Sequence, residues 1–386
     1  MVTRFEFATA TRIVFGCGVA SEIVPAAWGM GKRVLLVTSR TLERTDSLHN
    51  KLQSAGLVCT RLPVAGEPTV ASVRDAIQIA RQDQCDVVIA YGGGSVIDLG
   101  KAVAALLPNG DEPLDYLEVI GAGKPLLNPS LPLIAVPTTA GPGCEVTRNA
   151  VLGSPQHGVK ASLRSLHMLP RLAVVDPELT FSLPPALTAS TGLDALTQLI
   201  EPYVSVRANR ITDAFCREGL TRAGTALRRA YNNGKDMDAR INMSCASLFG
   251  GLALANAGLG AVHGFAAPIG GMFNAPHGAV CAALLPHVTA VNIRALRGRR
   301  KDPDAIQRYE TIASLLTNGT QIEAEDAIEW LSLTCRSLNI PPLREYGVSQ
   351  RHVTDIVTRA AGASSMKGNP IILNEDELSE ILSLAI

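Results

Sequence analysis

Asp86-Val-Val-Ile-Ala-Tyr-Gly-Gly-Gly-Ser-Val-Ile-Asp98 is the stretch that decides the fold. Its opening, Asp86 to Ala90, reads as a strand in which every residue after Asp86 is apolar and none is reserved for a solvent-facing side chain. A strand apolar on both faces belongs in a parallel sheet covered by helices. The glycines that follow let the backbone approach a ligand closely, and the helix expected from Val96 to Leu106 offers the free N–H groups of its first turn to an anion such as a pyrophosphate. Taken alone, the glycines also fit a plain tight turn. They do not form G-x-G-x-x-G, which separates this loop from the commonest Rossmann subtype.

The same pattern recurs on both sides. A short opening strand is expected at Arg12 to Phe15, and strands at Arg33–Thr38, Val58–Leu62, Leu131–Val136 and Leu172–Val175. Between them lie an amphipathic segment running to about Ala55 and a helix over Val70–Gln82. Alternating strands and helices of this kind form an α/β nucleotide-binding unit. After Val136 comes a second loop, Pro137-Thr-Thr-Ala-Gly-Pro-Gly-Cys-Glu-Val-Thr147, whose small and hydroxylated residues fall at the carboxyl edge of the sheet, where such folds bind ligands. Thr138 and Thr139 there either donate to cofactor oxygens or cap the next element. At the end of the Arg33–Thr38 strand, Ser39 beside Arg40 leaves room for a 2′-phosphate, where an acid would select NAD. That position leans toward NADP.

From Pro184 onward strand signals fade and helical periodicity takes over, for instance over Asp213–Tyr231, Asp304–Leu316 and Glu323–Leu338. The expected division is an α/β domain over residues 1–182 and an all-helical domain over 183–386. In the first long helix, Thr191–Ser205, Asp194 and Gln198 stand one turn apart on one face, so their side chains can converge on one atom. His263 and His277 lie in a span, Ile241–Ile293, that contains no Asp, Glu, Lys or Arg. Two imidazoles in an apolar setting can complete a set of four metal ligands. That span exceeds the length of a bilayer crossing, but its glycines, prolines and candidate ligands read as buried globular helices rather than a membrane segment.

Composition points the same way. Across 386 residues, 47% are hydrophobic and 18% charged, and Lys plus Arg equals Asp plus Glu at 35 each. A neutral chain of this kind argues against nucleic acid or an anionic membrane as partner, and for a small-molecule enzyme. Met1-Val-Thr-Arg-Phe-Glu has neither the basic nor the apolar region of a secretory signal. The eight cysteines include no C-x-x-C pair and read as reduced, core-filling thiols of a cytoplasmic protein.

Taken together, Gly92-Gly-Gly-Ser-Val-Ile-Asp98 with Lys101, Pro137-Thr-Thr-Ala-Gly141 with Glu145-Val-Thr147, Asp176-Pro-Glu-Leu179, Pro184 through Asp194, Asn274-Ala-Pro-His-Gly278 and Met366-Lys-Gly-Asn-Pro370 resemble the iron-containing alcohol dehydrogenase family, in the family's order. The resemblance implies the dehydroquinate synthase-like fold of that family, a Rossmann-like dinucleotide-binding domain followed by a helical metal and substrate domain, with the active-site cleft between the two and a homodimer as the assembly. It implies an NAD- or NADP-dependent interconversion of a small alcohol with its aldehyde or ketone. Carried over to this chain, the pyrophosphate contacts fall on Gly93, Gly94, Ser95 and Asp98. Thr138 and Thr139 approach the cofactor, Lys160 lies near the ribose, and Leu179 packs beside the adenosine. The metal ligands, which are also the catalytic set, correspond to Asp194, Gln198, His263 and His277, with iron or zinc as the divalent ion.

Two departures from the family pattern bear on mechanism. The second ligand on the opening helix is usually His and here is Gln198, a neutral oxygen donor that weakens binding and favours harder ions. A further His, close to the nicotinamide in the family, is replaced by Ala267. Three chemistries are therefore carried forward. In the first, a retained divalent ion polarises the carbonyl oxygen. In the second, a metal-free reductase of the maleylacetate type uses His263 or His277 for hydrogen bonding or proton transfer. In the third, a dehydroquinate synthase-type lyase uses NAD only transiently.

Overall fold

The structure is a computed structural model that describes residues 4–300, 303–320 and 322–386. Met1–Thr3, part of the stretch read for a signal, lie outside the described residues. The chain separates into two compact units, one formed by Ala8–Thr139 with Gly143–Thr180, the other by Phe181–Ile386 together with Ala140–Pro142 and the segment that ends at Phe7.

The first unit is built on β1 (Ile13–Phe15), β2 (Arg33–Ser39), β3 (Val58–Val64), β4 (Val87–Gly92), β5 (Leu133–Pro137), β6 (Asn149–Ser154), β7 (Val159–Arg164) and β8 (Leu172–Val175), with helices α1 (Ile23–Trp28), α2 (Asp46–Ser54), α3 (Val70–Gln82) and α4 (Gly94–Leu106). Six of the strands form one sheet in the order β1-β8-β5-β4-β2-β3, parallel throughout. The apolar runs are explained by burial on both sides. Leu35, Val37, Val88 and Ala90 join α3 and α4 in one layer, while the alternate residues Val34, Leu36, Val87 and Ile89 join α1 and α2 in the other. A side chain at Gly100 of α4 would place its Cβ 2.7 Å from that of Ala90, so glycine lets this helix lie directly on the sheet. From β2 the chain moves outward to β3 on one side and then to β4 on the other. The carboxyl ends of β2 and β4 therefore form the topological switch point, the usual ligand crevice of an open α/β sheet.

One element was not expected from the sequence. β6 and β7 pair antiparallel as a separate hairpin, Asn149 opposite Arg164 and Ser154 opposite Val159, turning through Gly158 at φ +60°. Its buried residues, Ala150, Leu152, Ser154, Ala161 and Leu163, are separated by mostly polar or small ones such as Gly153, Lys160 and Ser162, so the segment lacks the continuous apolar run of the sheet strands.

The helical unit comprises α5 (Pro185–Val204), α6 (Arg210–Asn232), α7 (Met237–Ala257), α8 (Ala261–Phe273), α9 (His277–Ala295), α10 (Pro303–Thr317), α11 (Ala324–Ser337), α12 (Val353–Ala361) and α13 (Glu375–Ala385). Every residue of α5 from Gly192 to Val204 is buried. The helix runs through the centre of the unit, packed by α6, α7 and α9, which is why it is apolar nearly all round. Non-contiguous segments pack onto this unit. Phe7 lies 5.9 Å, ring to ring, from Phe215, and Gly141 sits so close to Thr191 that a Cβ there would be 2.6 Å from the threonine's. The helix His277–Arg299 is long and apolar enough to cross a bilayer, yet 78% of its most apolar window is buried inside the protein.

Candidate metal centre and cofactor loops

Strand β4 ends at Gly92 and α4 begins at Gly94, so Gly93 is the helix N-cap. The first-turn N–H groups of Gly94 and Ser95 have no intrahelical acceptor and suit an anion. Thr138 follows β5 directly, and its amide donates to the Gly92 carbonyl at 3.0 Å. A Cβ on Gly93 would approach Thr139 Cγ2 to 3.3 Å. Gly93, Gly94, Ser95, Thr138 and Thr139 thus share one patch at the carboxyl edge. Ser39 ends the neighbouring β2, one residue beyond the Thr38 that pairs with Tyr91, and Arg40 follows it exposed. Leu179 lies in the single turn Pro177–Thr180 after β8 and packs on the apolar layer that contains Val136 and Val174.

Asp98 and Lys160 have protein partners of their own. Asp98 Oδ2 accepts from the Val151 amide at 3.1 Å, and Lys160 pairs with Glu67. Lys101 is fully buried, donating to Thr147 Oγ1 at 2.7 Å and the Asn149 carbonyl at 3.1 Å. Burial pulls its pKa down, against the raising influence of Cys144, Asp98 and Glu145. Asp98 and Lys101 together tie α4 to the β6–β7 hairpin.

The second constellation lies in the helical unit. Asp194 projects from α5, His263 from the first turn of α8, and His277 is the first residue of α9. His263 Nε2 and His277 Nε2 each stand 3.6 Å from Asp194 Oδ1. That is beyond hydrogen-bonding reach, and Asp194 Oδ1, although buried, has no hydrogen-bond partner among the described residues. Gln198 is buried one turn along α5, and its Oε1 is likewise unpartnered among the described residues. A fourth donor joins the cluster. Cys281 Sγ lies 3.6 Å from His277 Nε2 and 3.9 Å from His263 Nε2, and the ligand atoms of Asp194, His263, His277 and Cys281 all fall within 4.8 Å of one another. Buried polar atoms are ordinarily satisfied, so an orphaned carboxylate oxygen facing two imidazoles and a thiol fits a divalent cation.

Three local features hold the cluster. Glu201, on the same face of α5 as Asp194, accepts from His263 Nδ1 at 2.6 Å and from the Val262 amide at 2.7 Å. A carboxylate only accepts, so Nδ1 is held protonated and Nε2 is the nitrogen turned to the cluster, where its lone pair becomes available once a bound metal displaces its proton. Gly278 allows α9 to start against α5, because a Cβ there would lie 2.7 Å from the Ser190 carbonyl oxygen. The i,i+4 spacing on α9 then sets Cys281 one turn behind His277.

Electrostatics bind the group together. Burial alone would raise the Asp194 carboxyl, but the facing imidazoles outweigh it and hold its pKa below the ordinary value. For His263, burial is overcome by Cys281, Glu201 and Asp194, which hold the ring well above its usual pKa. His277 is raised too, by Cys281 and Asp194 against burial, though 41% of its side-chain surface is open to solvent and tempers the effect. The Cys281 thiol is lowered, the two imidazoles outweighing burial.

Sequence reasoning missed Cys281 and Glu201. Cys281 carried a signal in its i,i+4 spacing from His277; Glu201 carried only its i,i+7 spacing from Asp194, since its partner is 62 residues away.

The family model described as iron-containing alcohol dehydrogenase matches residues 10–177, and the C-terminal model of the Fe-containing alcohol dehydrogenase family matches residues 188–386. The chain belongs to the iron-containing alcohol dehydrogenase family. Alcohol dehydrogenase 4 of Schizosaccharomyces pombe is 39% identical over 84% of this chain and 74% of the relative. The NAD-dependent methanol dehydrogenase of Bacillus methanolicus is 31% identical over 97% of both. The crystal structure of a 1,3-propanediol oxidoreductase superposes over the whole of both chains with a TM-score of 0.91 at 33% identity. The fold class and the oxidoreductase assignment read from the sequence hold, and the family models favour the dehydrogenase over the lyase reading. Within this iron-containing alcohol dehydrogenase fold, Gln198 and Ala267 occupy helix positions one turn after Asp194 and His263 respectively.

Proposed function

We propose that this family member transfers hydride between a nicotinamide dinucleotide and a small alcohol or its carbonyl counterpart, with a divalent ion held by Asp194, His263 and His277. The observation that carries the reading is the buried, unpartnered Asp194 Oδ1 facing two imidazole Nε2 atoms at 3.6 Å. When bound, the ion supplies Lewis acidity toward the substrate oxygen, while the nicotinamide supplies or accepts hydride. Glu201 fixes the tautomer and orientation of His263. The amides of Gly94 and Ser95, with Thr138 and Thr139, bind and orient the cofactor diphosphate, and Gly93 keeps that surface free of a side chain. Leu179 supports the adenosine. Ser39 and Arg40 leave the end of β2 open to a 2′-phosphate, which favours NADP. Eight free thiols fit a reducing, cytoplasmic setting, and the expected homodimer completes the proposal. The 1–182 and 183–386 division stays with it, apart from Ala140–Pro142 and the segment ending at Phe7, which group with the helical unit.

Turnover of NADH and NADPH with a graded series of aldehydes, before and after chelator dialysis and with metal content measured in parallel, tests the reading. Activity that tracks metal content is the expected result. Full turnover by metal-free protein would move the assignment to the maleylacetate-type reductase, and a strong NAD preference would remove the role given to Ser39 and Arg40.

A further inference from the structure

We infer that Cys281 is a direct metal ligand in this chain, supplying a thiolate where the family's opening helix ordinarily supplies a third imidazole. The inference rests on the metal reading above.

Its basis is the shape of the donor set. A tetrahedral site with metal–sulfur bonds of about 2.3 Å and metal–nitrogen or –oxygen bonds of about 2.0–2.1 Å has S···N edges of roughly 3.5 Å and N···O edges of roughly 3.3 Å. Cys281 Sγ stands 3.6 and 3.9 Å from the two Nε2 atoms, and each Nε2 stands 3.6 Å from Asp194 Oδ1. Four edges are therefore within a few tenths of an ångström of a coordination polyhedron, with all four donors inside 4.8 Å. Sγ is fully enclosed, so no alternative solvent role competes for it.

The rest of the helix explains why sulfur is recruited. Asp194 and Gln198 on α5 offer one anionic and one neutral oxygen, and an amide oxygen is a weak donor to a borderline ion. His277 and Cys281 on α9 repeat the same one-turn spacing from the facing helix, with imidazole and sulfur as donors. Coordination displaces the thiol proton to solvent, so the bound thiolate and the Asp194 carboxylate together neutralise a divalent charge. Sulfur in place of imidazole also shifts selectivity away from hard ions and toward zinc and other thiophilic metals.

Cobalt(II) substitution reads the bond directly. Metal-depleted protein titrated with Co²⁺ is expected to develop visible d–d bands together with a near-ultraviolet thiolate-to-cobalt charge-transfer band. In Cys281→Ser the charge-transfer band disappears while d–d bands persist, and Zn²⁺ affinity falls by more than about tenfold, the lower end of what loss of even an outer-shell partner costs. Zinc K-edge absorption on the wild-type protein, which needs no variant, is expected to show one sulfur neighbour at about 2.3 Å. Visible bands without charge transfer, or zinc with only nitrogen and oxygen neighbours, would overturn Cys281 ligation and leave the metal reading standing. Failure of wild-type protein to take up either ion would overturn both.

Discussion

Replacing Glu201 by Gln tests the architecture of the centre without touching a ligand. Glu201 makes two acceptor contacts, one to His263 Nδ1 at 2.6 Å and one to the Val262 amide at 2.7 Å. Val262 lies in the first turn of α8, where backbone N–H groups have no intrahelical acceptor, so Glu201 also caps that helix from across the unit. Glutamine has one acceptor and one donor in the same space. If its oxygen stays on Nδ1, its amide nitrogen faces the buried Val262 N–H, and an unsatisfied donor of that kind costs about 1–3 kcal/mol. If the amide flips, His263 must move its proton to Nε2, and the lone pair that faces the cluster is lost. Either way Zn²⁺ affinity is expected to fall about 10- to 100-fold, or roughly 1.4–2.7 kcal/mol. Competition against a chromophoric chelator measures that affinity, and urea unfolding of metal-depleted protein measures the stability loss. A folded Glu201→Gln protein with wild-type Zn²⁺ affinity would refute the claim that Glu201 sets the His263 tautomer.

Three further substitutions probe other parts of the molecule. Gln198→His returns an imidazole to α5 and is expected to raise divalent-metal affinity; an unchanged or lower affinity in the same titration means that residue 198 does not face the ion. Gly278→Ala places a Cβ 2.7 Å from the Ser190 carbonyl, forcing α9 away from α5, with an expected loss of about 1–3 kcal/mol in chemical unfolding and weaker metal binding. Wild-type stability here would show that the close approach is not needed. Burial raises the Glu145 carboxyl to about 7, against its own backbone amide and Lys101. A carboxyl raised on folding stabilises fully below its unfolded value of 4.5 and progressively less as pH climbs through about 7. Glu145→Gln is therefore expected to flatten the fall in stability between those limits, by at most about 3 kcal/mol. Equal slopes in both proteins, measured by thermal melts across that range, would contradict it.

The sheet was legible because burial on both faces leaves a continuous apolar run, and β2, β4 and β8 fall within a residue or two of the expected strands. The β6–β7 hairpin escaped because its inward positions, Leu152 and Leu163 among smaller residues, alternate with mostly polar or small ones, a weaker signal than a run. In the site, Asp194, His263 and His277 were found through motif order, and the structure brings those three together. Cys281 was hidden among eight cysteines with no paired motif, where core filling is the ordinary explanation. Glu201 was hidden because its role depends on a partner on another helix. Local spacing shows what shares a face, and tertiary packing decides which face meets which.

The early segments that pack onto the helical unit also bear on the order in which it is assembled. Phe7 and Gly141 group with that unit, yet both precede α5 in the chain and emerge from the ribosome before it. During vectorial synthesis the nascent chain must hold these early pieces in reserve until their partners emerge. A fragment that starts at Phe181 is thus missing the ring that stacks on Phe215 and the glycine that nests against Thr191. Excising the C-terminal half, or joining it to a foreign α/β partner, therefore removes packing that this unit draws from earlier in the chain.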